Sequence, residues 1–178
     1  VLDKPEFTTI AGAAKLTGKT RSRTTFGLLA AVTTPESAVI DVPAAGGILS
    51  RRRDFRIEPG AGYTVGRIQQ DIGSNSNIGI MATTLNRGDG AGAAYSGGLD
   101  WNLRWRGNTY EFSGQVAGAQ VDKGSTIRGY AMKTRLARIT GWLTGEAELE
   151  SYSPAFNPND MGFLARSNLI RSRVGIQV

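Results

Sequence analysis

YSGGLDWNLRWR, residues 95–106, alternates without a break: Tyr95, Gly97, Leu99, Trp101, Leu103 and Trp105 fall on one parity, Ser96, Gly98, Asp100, Asn102, Arg104 and Arg106 on the other. Successive side chains of an extended strand point to opposite faces, so this segment carries one greasy aromatic face and one charged face. The greasy face must meet either a protein core or lipid. The choice between those two decides the kind of protein.

Composition restricts the choice. The 178 residues suffice for one domain with a sizeable core, and 24 of them are glycine, against a usual share of roughly 7%. Glycine inside alternating runs suits sheet curvature and bulges and argues against a helical domain. There is no cysteine and no histidine. That removes disulfides, thiolate nucleophiles, the commonest general base and the commonest metal ligand. No run of about 18 apolar residues offers a transmembrane helix. The chain opens on Val1 without a basic n-region or an apolar h-region, as expected of a protein whose signal peptide has been removed or of an internal piece of a longer chain.

Weaker alternation recurs along the chain. It predicts strands at about 7–17, 23–33, 62–71, 77–86, 94–106, 108–119, 126–134 and 138–152, with a ninth starting near 172. Most are about 9 to 13 residues long, longer than the usual 5 to 6 and close to the roughly 9 to 11 that a tilted strand needs to cross a bilayer. Connections alternate between short and long, as in transmembrane barrels with tight turns on one rim and larger loops on the other; a soluble up-and-down barrel can share that pattern. All six prolines (Pro5, Pro35, Pro43, Pro59, Pro154, Pro158) fall outside the expected strands. The expected fold is therefore all-β, an antiparallel up-and-down barrel wall of transmembrane type.

The faces follow from parity. Leu99, Trp101, Leu103, Trp105, Tyr110 and Phe112 are the lipid-facing candidates, and Asp100, Asn102, Arg104, Glu111, Gln115, Glu146 and Glu148 the lumen-facing polar candidates. The polar set fits a wet lumen or a solvent-exposed surface equally well. Tyr63, Tyr95, Trp105, Tyr110 and Tyr152 lie near strand ends, where an interfacial girdle would sit. Parity assigns no face in 62–71, and in 126–134 it puts Arg128 beside Tyr130 and Met132.

The strings GAAKLTGKT (12–20), YTVGRIQQD (63–71), NIGIMATTLNR (77–87), GGLDWNLRW (97–105), YEFSGQVAG (110–118) and SPAFNPNDMGFLAR (153–166) resemble, in this order, a bacterial domain of unknown function that typically follows an N-terminal carbohydrate-binding module of family nine. The resemblance runs through nearly the whole chain. It implies an outer-membrane β-barrel of Gram-negative bacteria attached to a sugar-binding module, and a barrel longer than 178 residues, so that this chain is a single-domain slice of it. The connection at 34–61 and the glycine-poor turn at 134–138 depart from the family pattern. The resemblance carries no catalytic residues with it.

Other chemistry is thinly supported. Glu146, Glu148 and Glu150 line one strand face about 7 Å apart, a spacing compatible with acid–base work on a sugar, but the plainer reading is a hydrated wall. NPND at 157–160 offers oxygen ligands without a full calcium-loop spacing. GDGAG (88–92), AAGG (44–47) and GKT (18–20) are turns rather than phosphate loops. Arg51, Arg52, Arg53, Arg166, Arg171 and Arg173 belong to the long connections and would share one rim, where they could meet anionic lipid or lipopolysaccharide phosphates; a solvated basic loop fits as well. With no aromatic interleaving they make no nucleic-acid platform.

The sequence thus predicts a non-enzymatic outer-membrane pore or surface scaffold with no cofactor and no metal, contacting lipid and, by analogy with the family's partner module, oligosaccharide. The alternatives are a soluble or periplasmic all-β binding module, and a subunit or fragment whose open strand edges join other chains.

Overall fold

The computed structural model describes residues 5–42 and 51–178, with the side chains of 40–42 and 51–53 left outside the description; the AAGG string at 44–47 and Pro43 also lie outside it. Among the described residues every regular element is a strand: β1 (Ile10–Lys19), β2 (Thr24–Thr33), β3 (Glu36–Val42), β4 (Arg51–Glu58), β5 (Ala61–Ile72), β6 (Ser76–Arg87), β7 (Ala93–Trp105), β8 (Tyr110–Asp122), β9 (Thr126–Arg138), β10 (Thr144–Tyr152) and β11 (Leu169–Gln177). Among the described residues no helix is long and apolar enough to cross a membrane.

Nine strands form one antiparallel sheet in the order β1-β2-β5-β6-β7-β8-β9-β10-β11, and β3 and β4 form a separate hairpin. The sheet is a meander with that hairpin set into the β2–β5 connection. Its outer strands, β1 and β11, do not pair with each other, so no closed barrel forms among the described residues. Antiparallel order puts the short turns 20–23, 73–75, 106–109 and 139–143 on one rim. The β3–β4 hairpin and the connections 88–92, 123–125 and 153–168 share the opposite rim.

The turns explain where strands stop. At 106–109, Arg106, Gly107 and Asn108 all take positive φ (51°, 61° and 67°), a left-handed stretch that a ladder cannot contain. Gly141 (φ 111°) ends another run. The alternation at 138–152 is thus broken: Ile139, Gly141 and Leu143 lie in a turn, and β10 starts only at Thr144. The final strand starts at Leu169, three residues before its expected position. The 34–61 connection contains two strands that the alternation does not announce, β3 and β4.

Register fixes the faces throughout. Leu99 pairs with Ile80 and Val116, Trp101 with Ile78 and Gly114, and Leu103 with Phe112. On the same parity lie Leu16, Phe26, Leu28, Ile68, Tyr130, Leu136, Val174 and Ile176. Among the exposed large hydrophobics within the nine strands, all but Ile10, Leu29, Met81 and Ile127 belong to this parity. The sheet thus has an extended apolar face with no second layer over it among the described residues, although a sheet normally buries such a face against another element.

What core exists is on the opposite, charged parity. Ala61, Leu85, Ala94 and Val121 form one buried cluster, with Tyr63 and Met161 packed on it. Ala119, Ala131 and Phe156 form the second, with Tyr152 and Leu164 against it. Both Tyr63 and Tyr152 therefore leave the expected girdle, because they pack inward beneath the 153–168 connection. Tyr95, Trp105 and Tyr110 keep the apolar parity near strand ends.

Candidate functional site

Register also brings the charged candidates together. Asp100 stands opposite Gly79 and Gln115, Asn102 opposite Asn77 and Ser113, and Arg104 opposite Glu111. Glu146 stands opposite Ala137, and Glu148 opposite Arg135. All seven polar candidates share one face, and all six apolar candidates share the other.

Most of the charged candidates are paired with one another or with neighbouring charges. Arg104 donates to Glu111 from Nε (2.9 Å) and Nη2 (2.7 Å), Arg135 donates from Nη1 to the other Glu111 oxygen (2.7 Å), and Arg135 Nε reaches Glu146 (2.8 Å). This Arg–Glu–Arg–Glu chain runs across β7, β8, β9 and β10. Glu111, only 6% exposed, is its hub, because a buried carboxylate needs donors on both oxygens. Lys133 pairs with Glu148 at 3.4 Å and Arg171 with Glu150 at 3.5 Å.

A second bridge skips a strand. Arg67 on β5 grips Asp100 on β7 through both terminal nitrogens, at 2.8 and 2.7 Å. The pair lies over Gly79 of β6, where a Cβ would fall 2.8 Å from Asp100 Oδ2 and 2.9 Å from Arg67 Nη2. Glycine at that position is what allows the bridge. The structure thereby assigns β5: Arg67 and Gln69 share the charged face, and Ile68 the apolar one. On β9, Arg128 keeps the apolar parity near the long-connection rim, its Nε bonded to Gln120 at 2.8 Å.

The 153–168 connection is laid across this face. Its backbone sits flush on β9 at Gly129, where a Cβ would come within 2.2 Å of Phe156 N and 2.3 Å of its Cα. Phe156 stacks on Tyr152 with ring centroids 6.0 Å apart. Further along, Asp160 pairs with Arg87 of β6 and with Lys123 (3.0 Å), and Met161 rests on the cluster around Leu85. Burial pushes the Asp160 carboxyl up, but hydrogen bonds from Lys123 and Arg87 and their charges outweigh it and hold the group below its ordinary range.

The NPND string therefore folds on itself. Asn157 Oδ1 accepts from Asn159 N (3.1 Å), Asn159 bonds to both N and O of Leu164, and Asp160 takes two protein cations. Among the described residues no group of three metal-ligating side chains is assembled. Between the connection and the sheet lies a cavity of about 200 Å³, walled by Arg67, Asp100, Thr83 and Gln115 on one side and by Phe156 and Pro158 on the other. A larger and more open depression of about 610 Å³ against Trp105, Tyr110, Leu136, Val174 and Ile176 belongs to the apolar face.

The basic candidates do not share one rim. Arg166 lies in the 153–168 connection, but Arg171 and Arg173 are inside β11 on the charged parity, because that strand starts earlier than expected. Arg51, Arg52 and Arg53 belong to β4 by backbone, and their side chains lie outside the described residues. Arg67, Lys133, Arg135, Arg87 and Gly129 complete the charged face and are absent from the sequence-based expectation, whereas Asp160, expected only as part of a weak oxygen-ligand string, serves as an ion-pair partner of Arg87 and Lys123. Only their partners across the sheet or in the 153–168 connection reveal them, and pairing is not printed in the sequence.

These features define a class: an all-β antiparallel meander with two contrasting faces, one mainly charged and crossed by a loop, the other mainly apolar and uncovered among the described residues. The family model described as "Domain of unknown function (DUF5916)" matches residues 1–178, and the chain belongs to that family. Neither the curated proteins nor the solved structures contain a match to it.

Proposed function

We propose that this chain is a stretch of non-enzymatic β-barrel wall in the bacterial outer membrane. On this reading the apolar face meets acyl chains and the charged face lines an aqueous interior that the 153–168 connection narrows. One observation carries it: the exposed large hydrophobics of the nine strands gather on one parity while the ion-paired residues gather on the other. In water a contiguous apolar surface of that extent would drive association. Dimensions support the same reading. β7 has 13 residues; at roughly 3.3 Å per residue and a tilt of about 40° it would rise about 30 Å, the thickness of a hydrocarbon core.

Spin labels at Leu99 and Gln115, on opposite parities of paired strands, test it. In phospholipid vesicles the Leu99 label should be relaxed by oxygen and shielded from an aqueous nickel chelate, and the Gln115 label the reverse. Equal aqueous access at both, in a protein that stays monodisperse without detergent, would instead favour a soluble binding module. Passage of oligosaccharide is the part of the proposal that rests on the sequence resemblance; swelling of protein-loaded liposomes in sugars of graded size measures it.

A further inference from the structure

The rim of short turns is cationic. The turns 20–23, 73–75, 106–109 and 139–143 contain no Asp or Glu, yet Arg21, Arg23 and Arg106 lie in them and Arg138 directly precedes the last. None of these four arginines makes an ion pair among the described residues, whereas Arg67, Arg87, Arg104, Arg135 and Arg171 on the charged face each hold a carboxylate. Two of the four turn to the apolar side. Arg138 stands opposite Tyr110 on the apolar parity, and the Arg106 guanidinium carbon lies 6.0 Å from the centroid of the Tyr110 ring. Arg138 Nε is buried without a hydrogen-bond partner, a donor that is costly to leave unmet.

Beside these two arginines the sheet surface is hollow. In the outermost row of the apolar parity Trp105, Tyr110, Arg138, Gly145 and Ile176 are successive cross-strand neighbours. In the next row Phe112, Leu136, Ala147 and Val174 follow Leu103. Small residues therefore fall together on β10, at Gly145 and Ala147, between taller ones on β9 and β11. The depression of about 610 Å³ is this groove. It runs over β10, a strand paired on both sides. Trp105 stacks on Tyr110 at its rim end, with ring centroids 5.6 Å apart, and Trp142 in the adjoining turn is 76% exposed. The groove is thus apolar along its floor and cationic where it meets the short turns.

We propose that this groove is a binding site for an anionic phospholipid, its phosphate held by Arg106 and Arg138 and one acyl chain lying over Gly145 and Ala147. The assignment rests on the barrel-wall reading, which brings the apolar face to lipid, and adds to it a headgroup preference at one place. Charge complementarity selects the occupant. A neutral lipid or an apolar peptide would leave both guanidiniums without an anion, and a free phosphate would leave the groove unfilled. Guanidinium forks match phosphate oxygens bidentately, and Trp and Tyr side chains favour the headgroup level at which the phosphate would sit.

Quenching by brominated lipid tests it. The full chain is folded into phosphatidylcholine vesicles carrying a minor fraction of dibrominated phosphatidylglycerol or, in a parallel sample, of dibrominated phosphatidylcholine. Tryptophan fluorescence reads both, since Trp105 lines the groove and Trp142 lies in the turn at its end. Phosphatidylglycerol should be favoured about fivefold or more, the size expected of one or two arginines at an anionic headgroup. Arg106→Gln with Arg138→Gln should abolish that preference while quenching by phosphatidylcholine persists. Arg21→Gln with Arg23→Gln removes the same charge from the same rim, away from the groove, and should leave the preference standing. Ala147→Phe, which fills the groove without changing charge, should lower it. Equal quenching by the two lipids in the unaltered chain, equal loss in the two double variants, or no effect of Ala147→Phe would overturn the site and leave the barrel-wall reading intact. Loss of the preference on adding inorganic phosphate at constant ionic strength would overturn the lipid in favour of the free anion. No quenching by either lipid would overturn the barrel-wall reading itself, and the site with it.

Discussion

Leu99 lies at the centre of β7, six residues from either end, and is 50% exposed on the apolar face. Replacing it with arginine separates the two environments that face could meet. At the midplane of a membrane barrel an outward arginine costs about 2–4 kcal/mol, falling to about 0–1 kcal/mol near the interfaces. On the exposed surface of a water-soluble sheet the same change stays within about 0.5 kcal/mol. Leu103, two residues from the short-turn rim, supplies the depth control, and Gln115 supplies the face control, since it stands between Asp100 and Lys133 in register. The expected order of destabilisation is Leu99→Arg, then Leu103→Arg, then Gln115→Arg, with at least about 1.5 kcal/mol between first and last, a factor of more than ten in the folding equilibrium. Urea titration of folding into phosphatidylcholine vesicles, read by tryptophan fluorescence and gel mobility, measures all three. A shift below about 0.5 kcal/mol at Leu99, or no dependence on depth, would refute the lipid assignment.

Other outcomes follow from the charged face. Gly129→Val should lift the 153–168 connection, because its Cβ would meet the Phe156 backbone at 2.2–2.3 Å; limited proteolysis should cut the connection faster while the strand signal in circular dichroism persists. Exposing Phe156, now 7% exposed, would cost about 1.5–3 kcal/mol. Glu111→Gln leaves Arg104 and Arg135 facing each other without their shared anion; because both arginines are about a third exposed, solvent screens the loss, and a stability decrease of about 1–2 kcal/mol is expected by chemical unfolding. The depressed Asp160 carboxyl contributes stability that is fully present above its ordinary value of 3.8 and is lost as pH falls through its folded value below that. The connection should therefore stay docked from neutral pH to about pH 4 and loosen only in stronger acid, whereas Asp160→Asn should loosen it at pH 7; fluorescence of a probe attached in the connection reports both.

The parity of the long strands is legible because period-two alternation needs no knowledge of neighbours: Leu99 through Trp105 and Tyr110 through Phe112 declare their faces alone. β5 is not, since Arg67 and Ile68 alternate ambiguously until Met81 and Ile80 are set opposite them. The β3–β4 hairpin is hidden by its punctuation. Pro35 and Pro59 look like the marks of a loop, yet they bracket the hairpin, with β3 starting one residue after the first and β4 ending one before the second. The opposite error arises at 139–143, where Ile139, Gly141 and Leu143 continue the alternation by chance through a residue held at positive φ. The inward course of 153–168 has no local signal at all: its anchor at Gly129 is more than twenty residues upstream and reads in isolation as one more strand glycine.

That anchor points to how the two faces divide their tasks. In a soluble β-sandwich the large apolar residues of each strand face the core. Here the described clusters lie on the charged parity, and alanines supply the sheet's small positions in both: Ala61 and Ala94 beside Leu85 and Val121 in one, Ala119 and Ala131 in the other. Their small side chains leave a shelf beside the ion pairs, and the 153–168 connection occupies it with Phe156, Leu164 and Met161. The position of the connection is therefore encoded in the sheet rather than in the connection itself. Ala131→Phe should displace Phe156 as effectively as changing Phe156, although Ala131 lies in the middle of β9, because a close-packed shelf has no room for the added ring. If proteolysis shows the connection still docked in that variant, the shelf does not set its position, and the Asp160 ion pairs with Arg87 and Lys123 must hold it alone.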